Sequence, residues 1–252
     1  MPNISLCLET VFPGLPLHER IRKAADAGYK AVEFWDPSSA DIPKMAAAAA
    51  ACGVSIVSCT LNEPRVYQLD QQSGPVAANV KKSIIIAGEL GCTTLIGLSS
   101  DTAGRLDSQK NIIIENLKRI AGIAEAAGVT IVLEPLNSLV DHKGCYLDSS
   151  TVGFEIIKCV DCPNIKILYD IYHMQIMEGN LIANITPNIG LVGHFHAACV
   201  PGRNEPMLGE VNYKVVLDRI DQLGYTRYVG LEYWPTYDHE KSIRDCLQYM
   251  RG

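Results

Sequence analysis

The sequence predicts an α/β protein built as one (β/α)8 TIM barrel over residues 1–252, and three observations carry that prediction. The chain has 252 residues, close to the ~250 of a complete barrel of eight strands and eight helices. One local pattern recurs: a helical stretch closes near a glycine and a short β-branched run follows, as in AGYKAVEFW, CGVSIVSCT, LGCTTLIGL, AGVTIVLE, IGLVGHFH and LGYTRYVGLEY. Those runs are apolar almost without interruption. That suits strands covered on both faces in a parallel sheet, because half-exposed strands would alternate.

In chain order, the first strand falls at 4–9, ahead of a helical pattern at 16–27. Gly28 closes that helix, since glycine takes the left-handed conformation that ends a last turn. The second strand follows at 31–35. Gly53, Gly91 and Gly128 precede strands at 54–59, 93–98 and 129–134, with helices at 76–90 and 108–127. Pro163-Asn164 punctuates the chain before a sixth strand at 165–170. Gly190 and Gly224 precede strands at 191–196 and 228–232, and a helix at 238–250 ends the chain. Strands alternating with helices predict parallel pairing. The competing open, doubly wound sheet would want a glycine-rich phosphate loop after an early strand, and no GxGxxG or GxxxxGK occurs.

Composition narrows the function. Apolar residues make up 48% of the chain, which excludes wholesale disorder. The formal charge of -6, with no Lys/Arg run, argues against a nucleic-acid partner. No segment reaches the ~20 uninterrupted apolar residues of a membrane span, so no membrane partner is expected. The N-terminus lacks a basic stretch followed by an apolar one, and the nine cysteines are an odd number in apolar settings. Both features point to a reducing, cytoplasmic setting. Cys159 and Cys162 form the one CxxC, and with no second pair they cannot close a zinc site.

Chemistry on a barrel sits at the C-terminal ends of its strands. The fifth run ends at Glu134, the sixth at Asp170, the seventh at His196 and the eighth at Glu232. Each follows buried apolar residues, so the carboxylates are poorly solvated and need a partner. A divalent cation held by three carboxylates and one imidazole meets that need. The oxygen-rich set favours Mg²⁺ or Mn²⁺ over structural zinc. His194 and His196 lie on one side of their strand, two residues apart.

At these residues the chain resembles the xylose-isomerase-like barrel superfamily, and within it the hydroxypyruvate isomerase branch, which is related to ketose 3-epimerases. The segments that carry the likeness are EPLN (134–137), YDIYHMQIMEGN (169–180), GHFHAACVPGRNEP (193–206), GEVNY (209–213) and LEYWP (231–235). The resemblance implies metal ligation by Glu134, Asp170, His196 and Glu232, and substrate contacts at His173, Arg203 and Glu205. The chain also departs from the family. The hydroxypyruvate isomerases carry Gln at His196, where the epimerases carry His. Cys199 stands at a usual Asp, Met207-Leu208-Gly209 replaces GTG, Cys7 replaces an Asn, and Val140 replaces the epimerases' second glutamate.

The resemblance implies a metal-dependent isomerase of a small hydroxy-carbonyl substrate. One divalent cation polarises the carbonyl, and Glu134 and Glu232 exchange base and acid roles across an enediolate. Arg203 suits a substrate carboxylate. Trp35, Tyr233 and Trp234 are expected to wall the pocket. The loop 136–147, with His142, is a candidate lid. His18 and His239 read as surface residues. The competing readings are a ketose 3-epimerase, a lyase or dehydratase of the same fold, a DNA-repair nuclease with a three-zinc cluster, and a binding protein that kept the ligand set. The nuclease would need more histidines and a basic groove, and no His lies between His18 and His142. A homo-oligomer is compatible with all of them.

Overall fold

The structure, a computed structural model, describes residues 1–61, 69–71, 75–100 and 108–252. The strands are β1 Asn3–Cys7, β2 Ala31–Phe34, β3 Ser55–Thr60, β4 Thr94–Gly97, β5 Thr130–Leu133, β6 Ile165–Asp170, β7 Val192–Ala197 and β8 Tyr228–Leu231. They pair in parallel in sequence order, and β8 pairs back onto β1 to close the barrel. The helices are α1 Leu17–Asp26, α2 Ile42–Cys52, α3 Val76–Leu90, α4 Ser108–Ala127, α5 Ser150–Val160, α6 Ile171–Met177, α7 Leu181–Ile185, α8 Tyr213–Gln222 and α9 His239–Arg251. The predicted (β/α)8 barrel is what the chain forms.

The strands β3, β4, β5 and β7 begin one residue later than the apolar runs suggest, and at β3 and β5 the helix ends explain why. Gly53 and Gly91 sit at φ 63° and 65° as the left-handed caps of α2 and α3. The next residue then spends its backbone N–H on the helix: Val54 donates to Ala49 O at 3.0 Å, Cys92 to Ala87 O at 2.8 Å, and Val129 to Ala124 O at 3.0 Å. Those donors close the final helical turn and are lost to the ladder.

Period-two alternation splits the strands into two surfaces. Leu95, Ile131, Leu133, Ile167, Tyr169, Phe195, Val229 and Leu231 belong to the large core shared with the helices. Ile96, Val132 and Leu168 pack in a separate small cluster. Each of Val132, Leu168, His194 and Gly230 lies two residues before a predicted ligand. Stepping two residues along each strand therefore moves from packed interior to mouth. Register sets the stagger of the ligands: Asp170 pairs with His196, and His196 with Gly230, two residues before Glu232.

Phe195 lies in the large core that the barrel shares with the helices. It is fully buried, with its ring 4.9 Å from Tyr225 and 6.0 Å from Tyr169. Replacing it with alanine is expected to lower stability by about 3–5 kcal/mol, read as a shift in the urea midpoint at constant slope.

Candidate active site

Four side chains from four successive strands meet at the C-terminal mouth. Glu134 and Glu232 are the first residues beyond β5 and β8, Asp170 ends β6 and His196 lies in β7. All are buried, and one donor atom from each lies within 4.8 Å of the others. His196 Nδ1 stands 3.6 Å from Glu134 Oε1 and 3.4 Å from Glu232 Oε2. Neither nitrogen of this buried ring makes an aligned hydrogen bond. An unsatisfied imidazole nitrogen facing two carboxylates, with a third in the same cluster, fits a cation ligand, and the oxygen-rich donor set fits a hard divalent ion.

Local structure holds each group. Asp170 caps α6: its Oδ1 accepts from Tyr172 N at 2.8 Å and His173 N at 3.3 Å. That leaves Oδ2 for the cluster. Glu232 Oε1 accepts from the Trp35 indole Nε1 at 2.5 Å, and Oε2 pairs with Arg203. Arg203 also reaches Asp170 Oδ2 at 3.8 Å and lies 5.1 Å over the Tyr172 ring. It sits at φ 56°, a left-handed conformation unfavourable for a long side chain. The loop accepts that conformation and delivers the guanidinium to the mouth.

The charges respond to this crowding. Burial pushes the Asp170 carboxyl up to about 7, with Arg203 and His196 opposing and Glu134 and Glu232 adding to the rise. Burial also disfavours ionised Glu232, yet Arg203 and His196 hold it well below the carboxylate range. His196 is driven well above the ordinary histidine value, because Glu232 and Glu33 outweigh the burial that opposes its charge. Burial keeps His173 well below that value, hence neutral. His173 Nδ1 accepts from Asn137 N at 3.2 Å, which assigns its proton to Nε2. Nε2 lies 3.4 Å from Asp170 Oδ2 and makes no aligned hydrogen bond.

A model of the family described as xylose isomerase-like TIM barrel matches residues 21–252. The chain belongs to that family. It is 32% identical to a putative hydroxypyruvate isomerase of Xenopus laevis, over 99% of this chain and 96% of that protein. It is 30% identical to a 2-oxo-tetronate isomerase of Cupriavidus necator, over 93% and 94% of the two chains. A crystal structure described as an AP endonuclease, family 2, from Brucella melitensis superposes with a TM-score of 0.92 at 30% identity, covering 99% of both chains.

Within this family barrel, other expected residues stand elsewhere. Glu205 is fully buried and saturated: Oε1 accepts from Thr236 N at 2.9 Å and Ser242 Oγ at 2.7 Å, and Oε2 from Thr236 Oγ1 at 2.9 Å. It ties the loop after β7 to the loop before α9. Tyr233 is also fully buried, its hydroxyl 2.9 Å from Ser242 Oγ. That leaves Trp35 and Trp234, edge to face at 6.2 Å, at the mouth. His142 packs edge-on against His173 at 5.5 Å. His239 accepts from Phe12 N at 2.9 Å, which anchors a backbone position of φ 49°.

Sequence reasoning missed Glu33, which lies within β2 and is 2% exposed. Its Oε1 lies 2.8 Å from His196 Nε2 and its Oε2 2.8 Å from His194 Nε2. The available signal was a charged residue inside an otherwise apolar run. No helix of the described residues is long and apolar enough to cross a membrane.

The chain has two tryptophans; Trp35 donates to Glu232 and Trp234 packs against Trp35. Adding Mn²⁺ should therefore quench intrinsic fluorescence saturably, and Asp170→Asn should weaken that response at least about tenfold. Metal ligation needs neutral His196 and ionised Asp170, whose proton affinities are both raised, so binding must release protons. Affinity should rise from about pH 6 to about pH 8. Calorimetry in buffers of different ionisation enthalpy measures the protons released.

Proposed function

We propose that the protein is a divalent-metal-dependent isomerase that moves a proton between adjacent carbons of a small hydroxy-carbonyl substrate. One observation carries the reading: Glu134, Asp170, His196 and Glu232 turn their donor atoms to a common point, with His196 Nδ1 unsatisfied there. The relatives' names support the class. Hydroxypyruvate and 2-oxo-tetronate are both carboxylates beside an oxo group.

Glu134, Asp170, His196 and Glu232 would hold one Mn²⁺ or Mg²⁺. When bound, that cation supplies Lewis acidity and offsets the negative charge that builds as a proton leaves carbon. The chain's residues do the rest. Glu134 and Glu232 approach the same point from different strands and form the base–acid pair across the enediolate. One takes the carbon-bound proton and one returns a proton to the neighbouring carbon. The hydroxyl proton passes between the two oxygens, so substrate and product have the same atoms.

Arg203 binds the substrate carboxylate with guanidinium donors left over from Glu232 and Asp170. His173, neutral with its proton on Nε2, donates to a substrate oxygen. Trp35 and Trp234 cover the mouth and limit water. Glu205, saturated by Thr236 and Ser242, takes no part. The epimerase reading is weaker here, because Val140 is 59% exposed and offers no carboxylate.

A screen of hydroxypyruvate, tartronate semialdehyde, 2-oxo-tetronate, tetruloses and hexuloses in D₂O tests the proposal. Metal-dependent deuterium incorporation at carbon is expected with a carboxylate substrate. Glu134→Gln should lower that exchange by about 10²–10⁴, and normal exchange in this variant would remove Glu134 as the base. Arg203→Lys should raise KM for the carboxylate substrate about tenfold or more, with a smaller change in kcat, because lysine lacks the two-pronged fork.

A further inference from the structure

Glu33, His194 and His196 form a second acidic–imidazole cluster below the first, and they share His196 with it. Taken alone, the cluster has the composition of another cation site. Its hydrogen bonds argue otherwise. Glu33 Oε2 accepts from Ser5 Oγ at 2.9 Å and Ser58 Oγ at 3.3 Å, in addition to His194 Nε2 at 2.8 Å. Oε1 stands 2.8 Å from His196 Nε2. With three hydrogen-bond partners on Oε2 and the His196 ring in ion-pair contact with Oε1, the carboxylate has little left for a cation.

Geometry shows that the barrel makes room for this carboxylate. Gly230 of β8 pairs in register with His196. A Cβ on Gly230 would lie 2.1 Å from Glu33 Oε1, so only glycine leaves the carboxylate its place beside His196.

We infer that Glu33 is a positioning residue for the cation ligand His196. By holding the proton on Nε2, it leaves the Nδ1 lone pair turned toward Glu134 and Glu232. A carboxylate behind a ligating imidazole fixes the tautomer and ring orientation and strengthens the ligand. Glu33 divides its two oxygens between the two imidazoles of β7, so His194 serves as a brace that keeps the carboxylate turned correctly. Gly230 belongs to the same device.

The inference rests on the proposed cation site, and one titration separates the two. Mn²⁺ binding is measured by the loss of free-ion EPR signal for the unmodified chain and for Glu33→Gln, with far-UV circular dichroism as the check on folding. The unmodified chain should bind one equivalent, and the folded variant should bind it about 10–100-fold more weakly. No binding to the unmodified chain would end the cation reading itself. Equal affinity in the folded variant, or two equivalents in the unmodified chain, would overturn the role of Glu33 alone. Should Glu33→Gln not fold, ¹H–¹⁵N spectra of the Mg²⁺-loaded unmodified chain decide. They should show His196 with its proton on Nε2, shifted downfield by the carboxylate. A proton on Nδ1 would overturn the inference.

Discussion

Three carboxylates buried at one mouth of a closed sheet cannot stand together without positive charge among them. In a poorly solvated site the mutual repulsion of Glu134, Asp170 and Glu232 is costly, and their desolvation adds to it. The surrounding structure responds to that constraint. Arg203 is brought in from the loop after β7 in a left-handed backbone conformation. His196 and Asp170 both gain proton affinity. A bound divalent ion would relieve all three, displacing the protons and freeing part of Arg203 for a substrate.

The barrel turns this chemistry into geometry through strand periodicity. Two residues per step carry each chain from an interior layer, where Val132, Leu168, His194 and Gly230 sit, to the mouth layer of ligands. The interior layer is partly polar, because Glu33 with Ser5, Ser58 and His194 occupies space that aliphatic side chains usually fill in such barrels. That arrangement exchanges packing area for a fixed ligand. The two glutamates also differ in their surroundings. Glu232 is tied by Trp35 and Arg203, whereas Glu134 stands 3.6 Å from His196.

Much of this was legible in the sequence because it depends on short-range rules. Glycine-closed helices followed by continuous apolar runs gave the strands to within a residue or two. The one-residue lag at β3 and β5 comes from a backbone donor that composition does not reveal. The four candidate ligands were legible because each ends its run on a polar side chain. Glu33 was not, since it lies in mid-strand and its meaning comes from His194, 161 positions away. Glu205 and Tyr233 sit in loop segments that resemble the site in sequence, but Ser242 on α9 draws both into the core. His239 likewise finds its partner at the far end of the chain, in Phe12.

The most direct test is anomalous diffraction from a crystal grown with Mn²⁺ near neutral pH. The account predicts one peak at the mouth, about 2.0–2.3 Å from Glu134, Asp170, Glu232 and the Nδ1 of His196. A mouth with no peak, or a peak bound between Glu33 and His194 instead, would contradict it.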